Sequence, residues 1–235
     1  MHRISRYIAV FVLFLFVVGA EAQSQTTRRP PMLTNDDVLS PSSSRATAEE
    51  PVVRTDATGT PLRNAREVLE SALSKISEVK SSRTRMQMTS PAGQREVFVE
   101  SVKPDRMHVS SADAEMIAIG RKFYLKTGGT WTVQTAPATS STFDSGFDVR
   151  TLMRQMISKG NVRISGKILG SQSVDGVETI AYEFLITEGS DSGTLQLSVG
   201  KQDGFIRLLS ATGSGMNIVV SFSSINEPLS IEAPM

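Results

Sequence analysis

Residues 85–109 read RMQMTSPAGQREVFVESVKPDRMHV, and their pattern is that of three short β-strands. Apolar residues alternate with polar ones within each run, which makes one face of each strand apolar. The alternating pairs are Met86 and Met88, Val97 and Val99, and Met107 and Val109. Turn-forming residues separate the runs at positions 90–93 and 103–105. We therefore predict antiparallel strands joined as a meander.

The same alternation continues towards the C-terminus. Further strands are predicted at 115–119, 122–126, 130–134, 162–173, 177–186, 194–199, 205–211 and 216–223. Turns are predicted at Thr127-Gly128-Gly129, Asp175-Gly176, Asp203-Gly204 and Gly213-Ser214-Gly215. Together with the first three strands, this gives six strands before residue 135 and five after residue 161.

Two segments have the periodicity of amphipathic helices instead. In residues 64–80, apolar residues recur at helical spacing. Asn64 is the predicted N-cap, and Glu67, three residues later, is expected to complete a capping box. Residues 148–158 carry a second apolar stripe that includes Leu152 and Met156. The fold class is thus α+β, mainly β: a curved antiparallel sheet of about 11 strands forming an incomplete (half) barrel, covered by two or more helices.

The N-terminus has the layout of a secretory signal peptide. Arg3 and Arg6 precede the apolar run at 7–18, and Ala20-Glu21-Ala22 offers a cleavage site, so residues 1–22 are predicted to be removed. A retained membrane anchor is the alternative. Residues 23–61 are rich in Ser, Thr and Pro and are predicted to be a disordered linker. The ordered domain is then 62–235, and the predicted location is the periplasm.

Composition narrows the functional classes. The chain has no cysteine, so an exported domain of this size must be stabilised by its core alone, and a lipid-modified cysteine is excluded. Removal of residues 1–22 leaves 23 basic and 23 acidic residues. Because phosphate binding needs a basic surplus, nucleic acid is not expected as a partner.

Residues suited to catalysis are few. His108 is the one histidine after residue 22, and it is expected on the strand face opposite Met107 and Val109. A hydrolase with a pair of catalytic carboxylates is a further possibility, with Asp144, Asp148, Glu183 and Glu188 as the candidates. The alternative is that these residues are solvent-exposed charges in loops. No enzyme activity, metal site or cofactor is expected.

Several strings in order resemble the periplasmic lipoprotein carrier family, LolA and LolB, with the related mycobacterial LppX and LprG proteins. They are VLESALSKISEVKS at 68–81, VKPDRMHV at 102–109, GKQDGFIRLLS at 200–210 and INEPLSIEAP at 225–234. The resemblance implies a half-barrel whose apolar cavity carries the acyl chains of lipoproteins or lipids. In LolA, an arginine directly before the proline that separates two strands helps to hold the lid of the cavity closed. The matching residue here is Lys103, before Pro104, and a lysine cannot form the bidentate contact of an arginine.

The predicted cavity combines sheet and helix residues. Its candidates are Val97, Val99, Met107, Val109, Met116, Phe123, Leu125 and Trp131 from the sheet, with Leu69, Leu73, Leu152 and Met156 from the covering helices. Frequent methionine suits a pocket that adapts to different chains, while ordinary core packing is the alternative explanation. A Met107→Asp or Leu125→Asp change would then keep the fold and lose the lipid.

Two functions follow as hypotheses. The first is a non-catalytic periplasmic carrier or chaperone for an acylated lipoprotein or lipid, with a membrane transporter or an outer-membrane acceptor as further candidate partners. The second is a LolA-like scaffold or sensor domain that binds a protein partner in the cell envelope. A monomer is expected in either case.

Overall fold

The computed structural model describes residues 59–135, 161–213 and 215–234. In these ranges helix α1 is Ala65–Lys75, and a 3₁₀ helix follows at Ile76–Glu78. The strands are β1 (Thr60–Pro61), β2 (Ser81–Ser90), β3 (Gly93–Val102), β4 (Arg106–Ser111), β5 (Glu115–Ile119), β6 (Lys122–Thr127), β7 (Thr130–Thr135), β8 (Val162–Val174), β9 (Val177–Glu188), β10 (Asp191–Gly200), β11 (Ile206–Gly213) and β12 (Met216–Ser223). The predicted signal peptide, nearly all of the linker and the predicted helix at 148–158 lie outside the described residues.

All strands belong to one antiparallel sheet in the order β1-β8-β9-β10-β11-β12-β2-β3-β4-β5-β6-β7. Two meanders, β2–β7 and β8–β12, are joined where β12 pairs with β2. The sheet remains open, so the predicted half-barrel is confirmed. The 11 predicted strands are all present, and the twelfth is β1, which pairs with Ile168 and Lys167 of β8 and uses the last two residues of the predicted linker.

Tight turns set the register of the hairpins. Gly128 and Gly129 between β6 and β7 both have positive φ, as do Asp175 and Gly176 between β8 and β9. A two-residue hairpin turn of type I′ has positive φ at both central positions, which glycine adopts readily and aspartate tolerates. Both turns are therefore found where they were predicted.

Helix α1 lies on the sheet through a stripe of four buried residues: Ala65, Leu69, Ala72 and Leu73. Its main contacts are with β8 and β11. Gly166 of β8 permits the close approach, since a Cβ there would lie 3.2 Å from the Cβ of Ala65 and 2.9 Å from the Phe184 ring. The predicted capping box is not formed. The Asn64 side chain caps no backbone N–H, and its Nδ2 donates instead to Glu67 Oε2 (3.2 Å).

Candidate functional site

One face of the sheet, which we call the apolar face, carries Met86, Val97 and Met107 and packs against α1. Residues that lie directly opposite each other on paired strands share a face. Val99 lies opposite Val109, Val109 opposite Met116, and Met116 opposite Leu125. A second row joins Met107, Ala118 and Phe123. The apolar face is therefore continuous from β2 to β6.

The predicted cavity residues on this face differ in depth. Those in the buried core are Leu69, Leu73, Val97, Met107 and Val109, none more than 9% exposed. Those that remain half-buried are Val99, Met116, Phe123 and Leu125. Met86, Met88 and Met107 thus serve ordinary core packing, whereas Met116 lies in the half-buried set. Leu152 and Met156 lie outside the described residues.

The half-buried set lies away from α1. The helix packs mainly on β8 and β11, while Met116, Phe123 and Leu125 belong to β5 and β6 at the other end of the sheet. Apolar side chains at that end consequently keep part of their surface available for a ligand or a further segment of chain.

Trp131 is on the wrong face for the predicted cavity. It lies opposite Lys126, whereas Leu125 lies opposite Thr132. The Lys126 ammonium group sits 5.4 Å from the centre of the indole ring, a cation–π contact. The prediction that Trp131 lines the same cavity as Leu125 is therefore corrected.

Lys103 does not form the bidentate contact that an arginine could form at this position. Its Nζ donates to the backbone oxygen of Ser77 (2.5 Å), and its backbone N–H donates to the oxygen of Lys80 (2.7 Å). Ser77 lies in the 3₁₀ helix that continues α1. Lys103 thus ties the end of the α1 segment to the β3–β4 turn with one cationic donor.

The opposite side of the sheet, which we call the polar face, carries a charged ladder across five strands. Its members are Arg83, Glu100, His108, Glu115 and Lys126. Arg83 Nε donates to Glu100 Oε1 (2.8 Å), and Lys126 Nζ donates to Glu115 Oε2 (2.9 Å). His108 lies between the carboxylates, with Nδ1 3.5 Å from Glu100 and Nε2 3.0 Å from Glu115. His108 is therefore on the predicted face and is satisfied by its neighbours.

The ladder keeps its carboxyl groups ionised. The hydrogen bond from Arg83 is the main cause that lowers the pKa of Glu100, and the hydrogen bond from Lys126 is the main cause for Glu115. Burial opposes both shifts, and contact with His108 adds to them. A carboxyl whose pKa is lowered by folding stabilises the native state above its unfolded pKa.

We expect this contribution to disappear as the pH falls below the usual carboxyl pKa of 4.5. Urea unfolding between pH 6 and pH 3 should show a loss of stability on acidification, and the Glu100→Gln/Glu115→Gln double variant should show a shallower loss. Glu232→Gln, an exposed carboxyl outside the ladder, is the matched control. Equal slopes for the double variant and the unaltered protein would contradict the assignment.

The carboxylates considered for hydrolysis do not form a catalytic pair among the described residues. Burial acts to raise the pKa of Glu183, but hydrogen bonds from Lys167 and Gln196 outweigh it and the pKa is lowered. Glu188 accepts a hydrogen bond from Asn161 (3.1 Å). An ionised Glu183 lacks the raised pKa that a general acid needs. Asp144 and Asp148 lie outside the described residues.

A groove of about 1000 Å³ opens on the polar face, and sequence reasoning did not predict it. It runs across β11, β12, β2, β3 and β4, and the tip of the β8–β9 hairpin closes one side. Phe98 faces this groove and is 44% exposed. The feature of the sequence that could have indicated the groove is Phe98, an aromatic residue on the same strand face as Glu96 and Glu100.

Within residues 59–135, 161–213 and 215–234, no group of three or more His, Cys, Asp or Glu residues could hold a metal ion. In the same ranges, no helix has the length and apolar character required to cross a membrane.

Comparison with known proteins finds similarity at the level of structure. LprF from Mycobacterium bovis superimposes with a TM-score of 0.53 at 15% identity, over 75% of this chain and 99% of LprF. The lipoprotein LppX from Mycobacterium tuberculosis gives 0.47 at 11% identity, over 71% of this chain and 97% of LppX. MucB from Pseudomonas aeruginosa, in its complex with MucA, gives 0.41 at 12% identity, over 71% of this chain and 59% of that chain.

No protein-family model matches the sequence, and no curated protein matches it. At 15% identity the similarity to LprF shows a shared fold alone. It supports the LppX- and LprG-like fold that the sequence resembles, while the resemblance to LolA and LolB stays an expectation.

Proposed function

We propose that the protein is a non-catalytic carrier of the cell envelope that binds the acyl chains of lipoproteins or lipids on its apolar face. The observation that carries this proposal is the half-buried set Val99, Met116, Phe123 and Leu125. The first three pack against the core cluster, and Leu125 lies beyond it on β6. Burial of apolar surface contributes roughly 25 cal/mol per Å², so one acyl chain on this set would contribute several kcal/mol. A carrier needs no catalytic group for such binding.

The shape of the set suits a chain-like ligand. Val99, Met116 and Leu125 lie in one row on β3, β5 and β6, with Val109 on β4 between the first two. Neighbouring strands are about 4.8 Å apart, so this row is roughly 14 Å long. Met116 lies within the row, and its flexible side chain can adapt to different chains. A narrow apolar strip of this length matches part of an acyl chain.

Two further elements belong to the proposal. Leu152 and Met156 of the predicted helix at 148–158, which lies outside the described residues, are further candidates for the acyl site. Lys103 would act as a latch through its bond to Ser77, holding the end of the α1 segment against the sheet. A signal peptide cleaved after Ala22 would release the carrier into the periplasm.

The test is native mass spectrometry of the protein purified from its own host without detergent, followed by organic extraction. We expect an adduct whose mass matches an acylated molecule, on a chain that begins at Gln23. A mass equal to the polypeptide alone, unchanged after incubation with membrane vesicles, would contradict the carrier.

A specific observation also favours the second hypothesis, a domain that binds a protein partner. Strand β7 ends the sheet, and no described strand pairs with its outer edge. Its sequence, TWTVQT, has neither charge nor proline, the features by which natural edge strands avoid pairing. An extended peptide could add to this edge through main-chain hydrogen bonds. A polypeptide adduct in the same mass spectrum would favour this function.

A further inference from the structure

The groove opens on the polar face, whereas the half-buried set lies on the apolar face, and Val99 is the one member of that set that also borders the groove. Its floor includes Phe98, Leu208 and Val219, which come from three different strands. Phe98 is the most exposed of the large apolar residues among them, with the Arg85 guanidinium 5.9 Å from its ring centre. An exposed aromatic ring in a groove is a surface on which a ligand can stack.

Hydrogen-bonding groups alternate with these apolar side chains. One row across five strands reads Leu208, Ser221, Arg85, Phe98 and Ser110. With strands about 4.8 Å apart, Leu208 and Phe98 are separated by roughly 14 Å. Because each apolar residue in the row is followed by a polar one, the floor offers no continuous strip for an acyl chain.

The polar groups of the groove are open for a ligand. Four hydroxyl groups facing it make no hydrogen bond within the described part of the chain: Ser110, Ser173, Ser221 and Ser223. Arg83 and Arg85 each donate to a carboxylate through Nε, and their Nη groups have no hydrogen-bond partner among the described residues. Gln87 adds an amide oxygen at the side of Arg85.

Apart from His108, the charged residues that line the groove are two arginines, Arg83 and Arg85, and two carboxylates, Glu100 and Asp175, so their charges cancel. Arg83 is paired with Glu100 and Arg85 with Glu96, at 2.8 Å and 2.6 Å. A ligand with a net charge would therefore gain little from the field of the groove. The surface favours an uncharged ligand with many donors and acceptors and with apolar faces that can stack.

We propose that this groove binds a neutral oligosaccharide. Sugar rings present apolar C–H faces, which match the exposed Phe98 and the half-buried Val219, and hydroxyl edges, which match the serine hydroxyls and the arginine Nη groups. The length of the row suits several linked rings better than a single one. This inference does not depend on the proposed function, since the two sites lie on opposite faces.

The test is isothermal titration of the purified protein with cellohexaose, maltohexaose, mannohexaose and N-acetylchitohexaose. We expect one of these to bind, and Phe98→Ala to weaken that binding roughly tenfold through loss of stacking. Leu185→Ala is the matched control, because Leu185 is 46% exposed on the same face but outside the groove. The folded state of each variant is checked by circular dichroism.

Dodecyl phosphate is titrated in parallel as a charged, chain-like probe. Weakened saccharide binding in Phe98→Ala with unchanged binding in Leu185→Ala would support the proposal. The proposal is overturned if none of the four saccharides binds, if Phe98→Ala binds as well as the unaltered protein, or if only dodecyl phosphate is sensitive to Phe98→Ala.

Discussion

Replacement of Met107 by aspartate is expected to leave the protein unfolded at room temperature. Met107 is 6% exposed and lies within the buried core cluster. Loss of its packing costs about 2–5 kcal/mol, and an unpaired carboxylate in this apolar setting costs several kcal/mol more. The sum is comparable with the roughly 5–15 kcal/mol that stabilises a typical domain. Near-UV circular dichroism and urea titration measure the effect.

Met107→Leu is the control for this variant. It conserves volume and apolar character, so its cost should stay below about 1.5 kcal/mol. A Met107→Asp protein with native near-UV dichroism and cooperative unfolding would show that position 107 is not part of the core. From the sequence alone this variant is expected to keep its fold, and the burial of Met107 reverses that expectation.

The strands could be predicted because their alternation is strong and each is bounded by turn residues. Met86 and Met88, or Val97 and Val99, fix which positions of a strand share a face, whatever the strand pairs with. Contacts distant in sequence could not be predicted in this way. The pairing of β12 with β2 joins the two meanders, and no local pattern encodes it. The two-residue strand β1 is too short to show any alternation.

The error at Trp131 has a specific cause. A two-residue turn at Gly128 and Gly129 pairs Thr127 with Thr130, so each residue of β6 lies opposite a residue of different parity on β7. Leu125 therefore shares a face with Thr132, and Trp131 with Lys126. Counting outward from the predicted hairpin would have placed Trp131 correctly, whereas its apolar character alone placed it with the cavity.

The polar groove shows a different limit. Its residues come from β2, β3, β4, β11, β12 and the tip of the β8–β9 hairpin, and their proximity depends on the order of strands in the sheet. The one sign of the groove in the sequence is Phe98, an aromatic residue that lies between Glu96 and Glu100 on the polar face of β3. Leu208, which shares the floor of the groove with Phe98, comes from a strand more than 100 positions away in sequence, so the sequence alone could not bring the two together.

Leu125→Asp is expected to keep the fold and lose the acylated ligand. Leu125 is half-buried on β6 and lies outside the core cluster, so aspartate there remains accessible to water in the empty protein. With an acyl chain bound, the carboxylate would be covered by apolar surface, which strongly disfavours the charged form. Loss of one leucine contact alone is worth roughly 1.5–3 kcal/mol, and so binding should weaken at least tenfold.

The effect is measured by displacement of a dansyl-labelled fatty acid and by extraction of co-purified lipid. Leu185→Asp is the matched control, since it introduces the same charge at an exposed leucine on the polar face and should leave binding unchanged. Leu125→Met should retain binding, because it keeps the site apolar. If folded Leu125→Asp holds the ligand as tightly as the unaltered protein, the acyl site is not on the apolar face. Because Leu125 and Phe98 lie on opposite faces, each variant should also leave the other site's ligand unaffected, which makes the two sites separable in one set of proteins.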